Sequence, residues 1–188
     1  MSAPHRFLCL TDQVEEVLAA GIDAAALPGT WPGWWSKINL FAPDLLTGPT
    51  LYLDLDSLIT GPLDPLLRAK PGITMVSDFT RPAMMNSSAM AWIGNFSAVW
   101  HVFCRDSSEI MRRYDAMRGP RVGDQGFIHD CLNEANVRID TFDPAHVVSF
   151  KLGARKGPPP DARVLSFHGR PKCDDPASGW AYEAWSAL

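Results

Sequence analysis

Short apolar runs recur along this chain and end at glycine, proline or acidic residues, a pattern that predicts buried β-strands. The runs lie at residues 6–10, 51–53, 73–76, 89–93, 147–151 and 164–167. Between these runs, apolar residues recur three and four positions apart, as in helices. Alternating strands and helices favour an α/β sandwich with a mixed central sheet, and we expect one domain over residues 1–188. Its central strands should include residues 51–54, 73–77 and 164–167.

Apolar residues spaced three and four positions apart predict the helices. These segments cover residues 13–20, 36–45, 63–69, 107–117 and 124–135. In the fourth of them, Ile110, Tyr114 and Met117 share one face, which is typical of core packing, and Ser107 is the expected cap. Sixteen prolines and fourteen glycines are spread along the chain and predict many irregular connections between these elements.

Composition excludes several classes of partner. The 188 residues carry a formal charge of −4, so there is no electrostatic case for binding nucleic acid or an anionic membrane. No apolar run is long enough to span a bilayer and no signal peptide is evident, so the expected location is cytoplasmic. The four cysteines have no Cys-x-x-Cys spacing, which is typical of free thiols.

The most informative segment is the strand at residues 51–53, which runs directly into Asp54 and Asp56. Two carboxylates so close repel each other, and burial increases that cost. A divalent cation relieves both problems, since carboxylate oxygens suit Mg²⁺ and Mn²⁺. The pair alone is a weak signal, because an acidic strand end leading into a turn gives the same pattern.

Three more polar clusters stand at the ends of predicted elements. They are the triplet 86–88, Asp124 with Gln125 at a helix start, and the segment 166–172, which carries His168. Each has an ordinary structural explanation: a turn, an acid favoured at a helix N-terminus, and a surface histidine. Asp78 adds a further acid after the strand at 73–76.

In this order, the clusters resemble the GT-A fold glycosyltransferases, in particular the family 8-like group that uses nucleotide-sugar donors. Tyr52-Leu53-Asp54-Leu55-Asp56 matches that group's strand and Asp-x-Asp motif. Asn86-Ser87-Ser88 resembles its donor-sugar segment, and Asp124-Gln125 its Asp-Gln pair. The late His-x-x-Gly-x-x-Lys-Pro motif is matched only in part, because Gly169 directly follows His168 and Cys173 follows Lys172.

This resemblance implies a metal-dependent, retaining hexosyltransferase. It would move a sugar from a nucleotide-diphosphate donor, a UDP-sugar, to a carbohydrate or other acceptor that the sequence does not identify. The implied cofactor is Mn²⁺ or Mg²⁺, and an imidazole among the ligands favours Mn²⁺. The implied site residues are Asp54, Asp56 and His168 for the metal, Lys37, Asp54, Asp78, Arg170 and Lys172 for the donor, and Asn86 and Asp124 for catalysis.

Two features of the chain are left open by this resemblance. Residues 6–12 resemble the second strand of such a domain, which predicts that one βα unit is missing before it. Trp31, Trp34 and Trp35 form a loop that suits a ligand pocket and core packing equally well.

Two other functions fit parts of the pattern. Phosphohydrolases of the haloacid dehalogenase type also carry a strand followed by Asp-x-Asp, and Asp174-Asp175 resembles their later acidic motif. Their motif lies close to the N-terminus, however, and a Thr or Val stands where this chain has Leu58. The third hypothesis is a non-catalytic module that binds a nucleotide or a sugar.

Overall fold

A computed structural model describes residues 1–2 and 4–187 of the chain. Each predicted apolar run lies on or beside a strand, and several short strands form where the pattern gave no signal. The strands are β1 (Cys9–Thr11), β2 (Ala24–Ala26), β3 (Thr50–Leu53), β4 (Ser57–Ile59), β5 (Gly72–Ser77), β6 (Met85–Ile93), β7 (Ile139–Thr141), β8 (Val147–Ser149) and β9 (Val164–Ser166).

The helices predicted at residues 36–45 and 63–69 form only as 3₁₀ segments, which end before Pro43 and contain Pro65. The α-helices are α1 (Val14–Ala19), α2 (Ala98–Arg105), α3 (Ser107–Asp115), α4 (Gly123–Glu134) and α5 (Trp180–Ser186). Segments Gly33–Phe41, Asp64–Leu66, Gly119–Arg121 and Pro176–Ser178 are 3₁₀-helices, and Phe150–Ala154 is a π-helix.

Helices α3 and α4 confirm the predictions for residues 107–117 and 124–135. The predicted cap of α3 was wrong by one residue, since it is the Asp106 carboxylate that accepts a hydrogen bond from the Glu109 N–H, at 3.3 Å. The helix predicted at 63–69 is reduced to the turn Asp64–Leu66, which begins next to Pro65.

The main sheet has the strand order β3-β6-β5-β7. Strand β6 runs antiparallel to both β3 and β5, while β7 is parallel to β5. The sheet is therefore mixed, as the sequence predicted. The register between β5 and β6 shifts between Met75 and Val76, so residues 87–89 of β6 have no partner on β5 and the ladder resumes at Asn86.

The remaining strands form two smaller sheets. Strand β9 lies between β4 and β8 in a three-stranded sheet, and β1 pairs with β2 in a parallel ribbon. The expectation that 164–167 belongs with the central strands was wrong. Periodicity shows that a segment is a buried strand, but it does not show which strand is its partner.

Alternating side chains on the strands divide the core into layers. From β6, Met90 and Trp92 pack toward the helices, whereas Ala89 and Ala91 pack toward the three-stranded sheet. From β9, Val164 packs in that same layer between the two sheets, whereas the residue that follows it packs on the opposite face of the three-stranded sheet. The small alanines allow the two sheets to approach each other.

The tryptophan loop serves mainly as core. Trp35 is 2% exposed and stacks on Phe103 at 5.3 Å, and Trp31 meets the same ring edge-on at 4.9 Å. Only Trp34 is largely exposed. Of the residues described, no helix has both the length and the apolar character needed to cross a membrane.

The topology brings polar residues to one edge of the main sheet. Asp54 directly follows β3 and Asp78 directly follows β5, while Asn86 lies near the start of the antiparallel strand β6. Because β6 runs in the opposite direction, its beginning lies beside the ends of its two neighbours. This edge carries the candidate site.

Phe103 offers a test of this core. Phe103→Ala should lower the free energy of unfolding by about 3–5 kcal/mol, because the ring is fully buried among Trp31, Trp35 and Phe127. Urea unfolding measures the change. Phe7→Ala, at a side chain that is 69% exposed, should stay within about 0.5 kcal/mol of the parent. Equal effects of the two substitutions would contradict the described packing.

Candidate functional site

A buried lysine lies at the centre of the site, between two carboxylates. The Lys37 ammonium is 2.9 Å from Asp54 Oδ1 and 3.3 Å from Asp124 Oδ2. Its side chain is only 9% exposed. The 3₁₀-helix Gly33–Phe41 holds it there, because the following Ile38 is completely buried in the core. One cation therefore joins the end of β3 to the start of α4.

Each carboxylate accepts a second hydrogen bond. The Tyr52 hydroxyl donates to Asp54 Oδ1 at 2.6 Å, and the Ser87 hydroxyl donates to Asp124 Oδ2 at 2.7 Å. Lys37 also donates to the Ser87 hydroxyl, at 2.9 Å. These bonds form a continuous network across β3, β6 and α4, and such a network is costly to leave half satisfied.

The charges of this network explain its pKa shifts. Burial by itself lowers the pKa of Lys37, but the carboxylates of Asp124 and Asp54 outweigh burial, so the net shift is upward. Burial raises the pKa of Asp54, and the attraction of Lys37 offsets this only in part. One ammonium shared by two carboxylates leaves the buried network with a negative charge.

A second link ties β6 to the start of α4. The Asn86 amide donates to Gln125 Oε1 at 3.2 Å, and Gln125 donates in turn to the Pro120 carbonyl at 2.7 Å. The Asn86 carbonyl oxygen accepts from the Ser88 N–H at 2.8 Å. Asn86 is thus held at the same helix terminus as Asp124.

Asp56 is paired with the other lysine of the site. The Lys172 ammonium contacts Asp56 Oδ2, and it also donates to the Phe167 carbonyl at 2.9 Å. Both side chains are about one-third exposed, 34% for Lys172 and 33% for Asp56. This ion pair is more accessible to solvent than the one at Lys37.

His168 is directed to a different partner from the one predicted. Its Nε2 lies 2.7 Å from the Ser149 hydroxyl, and its ring stacks on Phe79 at 5.6 Å. Burial lowers the pKa of His168, Lys151 lowers it further, and Asp78 opposes both. These effects favour the neutral form of the imidazole, which lies in a partly apolar wall.

The metal site predicted from Asp54, Asp56 and His168 is not assembled in this arrangement. Among residues 1–2 and 4–187, no three His, Cys, Asp or Glu side chains are grouped closely enough to hold a metal ion. The Lys172 ammonium contacts Asp56, and Ser149 engages the imidazole.

The two aspartates by themselves still suit a divalent cation. No hydrogen bond joins Asp54 Oδ2 or Asp56 Oδ1 to another described residue, so each carboxylate keeps one oxygen for a ligand. Three carboxylates share two ammonium groups, which leaves a negative charge in excess. Mg²⁺ in proteins is commonly held by one or two carboxylates completed by phosphate oxygens and water.

The last two predicted residues lie apart from the Lys37 network. Asp78 Oδ1 accepts from the N–H groups of Thr80 and Arg81, at 3.0 and 2.9 Å, on the side of the site that carries His168. The Arg170 side chain is highly exposed and lies 3.7 Å from Asp175. Of the predicted set, Lys37, Asp54, Asn86 and Asp124 are thus brought into two linked hydrogen-bond networks at one edge.

Sequence reasoning missed three residues that contact the predicted site residues. Tyr52 had a usable signal, since residues two apart on a strand face the same side and Asp54 is two positions on. Ser87 lay within a noted polar triplet but had no assigned role. Ser149 gave no signal, because a single serine in an apolar strand does not indicate its distant partner His168.

Known structures share this architecture. The glycosyltransferase GlyE of Streptococcus pneumoniae TIGR4 superposes with a TM-score of 0.67 at 16% identity, over 97% of this chain and 55% of GlyE. An active-site mutant of LgtC gives 0.64 at 14%, over 100% of this chain and 86% of LgtC. The galactosyltransferase LgtC in complex with donor and acceptor sugar analogs gives 0.62 at 15%, with the same coverage.

The chain thus spans about half the length of GlyE and most of LgtC. No protein-family model matches the sequence, and no curated protein matches it. At 14–16% identity the likeness establishes the fold, which is the GT-A fold that the resemblance implied. Any activity must therefore be inferred from the residues of the site.

Removing the Lys37 ammonium should destabilise the fold. Lys37→Met should lower the free energy of unfolding at pH 7 by about 3–5 kcal/mol, because the buried Asp124 and the partly buried Asp54 lose their shared partner. The loss should shrink as the pH falls toward the acid range. Asp54 has a raised pKa in the folded state, so protonation relieves the repulsion and favours folding at low pH.

Urea unfolding across this pH range measures the effect, with the exposed Lys70→Met as the matched control. Adding Asp124→Asn to Lys37→Met should recover part of the loss, because one of the two unpaired charges is removed. Simple additivity of the two single losses would show that Lys37 does not bridge the carboxylates.

His168 gives a second dependence on pH. Its folded-state pKa lies below the usual 6.5, so its contribution to stability is present above that pH and declines as the pH falls. The difference in unfolding free energy between the parent and His168→Gln should therefore narrow between about pH 7.5 and pH 5. The exposed His101→Gln serves as control. If this difference in unfolding free energy instead grows as the pH falls, the folded state favours the charged form of His168.

Proposed function

We propose that this chain is a metal-dependent glycosyltransferase that moves a sugar from a nucleotide-diphosphate donor to an acceptor hydroxyl. The observation that supports this most directly is the Lys37 network. It brings Asp54, which follows β3, together with Asp124 at the start of α4, and Gln125 holds Asn86 at that same helix start, at one edge of a GT-A sheet. UDP is the expected nucleotide, as the resemblance to the family 8-like group implies.

In this proposal, Asp54 and Asp56 hold Mn²⁺ or Mg²⁺ through their remaining oxygens, and His168 is a further ligand only if it leaves Ser149. When bound there, the cation supplies Lewis-acid stabilisation of the departing diphosphate. Lys172 exchanges its ion pair with Asp56 for phosphate oxygens, as its partial exposure permits. Arg170, which is highly exposed, is the second candidate for a phosphate contact.

The residues on the α4 side face the donor sugar in this proposal. Lys37 and Ser87 fix the Asp124 carboxylate as a hydrogen-bond acceptor for sugar hydroxyls, and Gln125 orients the Asn86 amide. Asp78 contributes a further acceptor from the end of β5. Transfer breaks the bond from the anomeric carbon to the diphosphate and forms a bond to the acceptor oxygen, whose proton passes to the departing diphosphate. Retention of configuration is the expected outcome.

The phosphohydrolase hypothesis is less consistent with the structure. A nucleophilic aspartate needs one carboxylate oxygen for attack on phosphorus and the other for the metal, yet Asp54 Oδ1 already accepts from Lys37 and Tyr52, which leaves Oδ2 alone for both roles. The fold is also that of glycosyltransferases. A binding module without transfer activity has the same expected ligands, so a test must measure both binding and turnover.

The expected behaviour is coupled binding of metal and nucleotide. UDP with Mn²⁺ should raise the melting temperature, while either alone should do so weakly, because a cation held by Asp54 and Asp56 would offset the negative charge of the diphosphate. At one hundred times its dissociation constant, the nucleotide adds roughly 2.7 kcal/mol of stability. Asp56→Asn should abolish the coupling. Thermal unfolding in a matrix of nucleotides and metals measures it.

Asp23→Asn is the matched control, since Asp23 also pairs with a cation, Arg6, but lies in the β1–β2 region. Release of UDP from UDP-sugars in the presence of acceptor mixtures separates a transferase from a binding module. Stabilisation by beryllium fluoride without any nucleoside would instead favour the phosphohydrolase. Absence of coupling with every nucleoside diphosphate tested would overturn the proposal.

A further inference from the structure

A mostly apolar cavity of about 360 Å³ lies beside the candidate site, between the ends of β5, β7 and β8. Its floor belongs to the layer between the two sheets, where Val76, Phe142 and Val147 are buried. Its walls are largely hydrophobic, and Leu152 on the π-helix stands at its rim with 61% of its surface exposed. An exposed leucine over an apolar hollow offers area for an apolar ligand.

The cavity and the candidate site share a wall. Phe79 lines the cavity and stacks on the His168 ring, and Ser149 lines it and contacts His168 Nε2. Asp78, which ends β5, is also part of the lining. No hydrogen bond joins Asp78 Oδ2 to another described residue, so this end of the cavity offers an oxygen acceptor.

We propose that this cavity binds an apolar aglycone carried by the acceptor, an aryl or short alkyl group attached to the hydroxyl-bearing head. The assignment rests on the proposed function, because it makes the cavity a continuation of the transfer site. The head then lies toward Asp78 and His168, and the aglycone lies over Phe142, Val148 and Leu152.

Size and lining both fit this occupant. A dry engineered cavity of about 150 Å³ is large enough to bind benzene, so about 360 Å³ accommodates a ring with a substituent. Ligand pockets are typically apolar with a few polar groups that fix orientation, and here Asp78, Asp143 and Ser149 are those groups. The acidic residues also disfavour an anionic occupant such as a phosphate.

The test compares phenyl β-glucoside with methyl β-glucoside, two probes that share a sugar head and differ only in the aglycone. Ligand-observed NMR titration without metal or nucleotide should show at least tenfold tighter binding of the phenyl glycoside. Leu152→Ser should reduce that preference several-fold. Ile59→Ser is the matched control, since Ile59 is 51% exposed and lies outside the lining.

Melting temperatures of the variants establish that they fold. Equal binding of the two glycosides to the parent chain, or equal effects of Leu152→Ser and Ile59→Ser, would overturn the inference. The UDP and Mn²⁺ coupling is measured in parallel on Leu152→Ser, where it should be unchanged. If the parent chain couples UDP and Mn²⁺ binding but does not prefer the phenyl glycoside, the cavity assignment alone is rejected. If the parent chain prefers the phenyl glycoside but shows no coupling, the transferase proposal is rejected, and the cavity is an apolar binding site without a role in transfer.

Discussion

The ammonium of Lys37, held between the carboxylates of Asp54 and Asp124, is the contact on which the arrangement of the site depends. It ties a 3₁₀-helix to the end of β3 and to the start of α4, and Ser87 brings β6 into the same network. Charges taken out of water are costly unless each is paired and hydrogen-bonded. These segments must therefore meet in one geometry, which fixes where the polar groups lie.

The same constraint distinguishes two kinds of charge at this edge. Lys37 is buried and shared by two carboxylates, so it acts as part of the scaffold. Lys172 pairs with Asp56 and both are about one-third exposed, so solvent reaches this ion pair, and in the proposed function a ligand replaces it. An excess of negative charge beside a solvent-accessible cation suits a ligand that arrives with a divalent metal, and a nucleotide diphosphate is such a ligand.

Two chemically different regions meet at His168. On one side are the acidic residues and lysines, and on the other is an apolar cavity. The wall of His168, Phe79 and Ser149 separates them and belongs partly to each. A fold shared with glycosyltransferases at 14–16% identity does not specify ligands, so the two regions are interpreted from their own residues.

The sequence by itself determined the α/β class, the strand that leads into Asp54 and Asp56, and helices α3 and α4. These features depend on local periodicity, which short windows of sequence contain. It missed α2, α5 and the short strands β2, β4 and β7, since segments so short depend on their neighbours for stability. It also placed β9 with the wrong strands.

Only the tertiary structure decided that Lys37 lies between Asp54 and Asp124, that Lys172 rather than His168 contacts Asp56, and that an apolar cavity adjoins the site. These contacts join residues far apart in the sequence, and the packing of whole layers sets them.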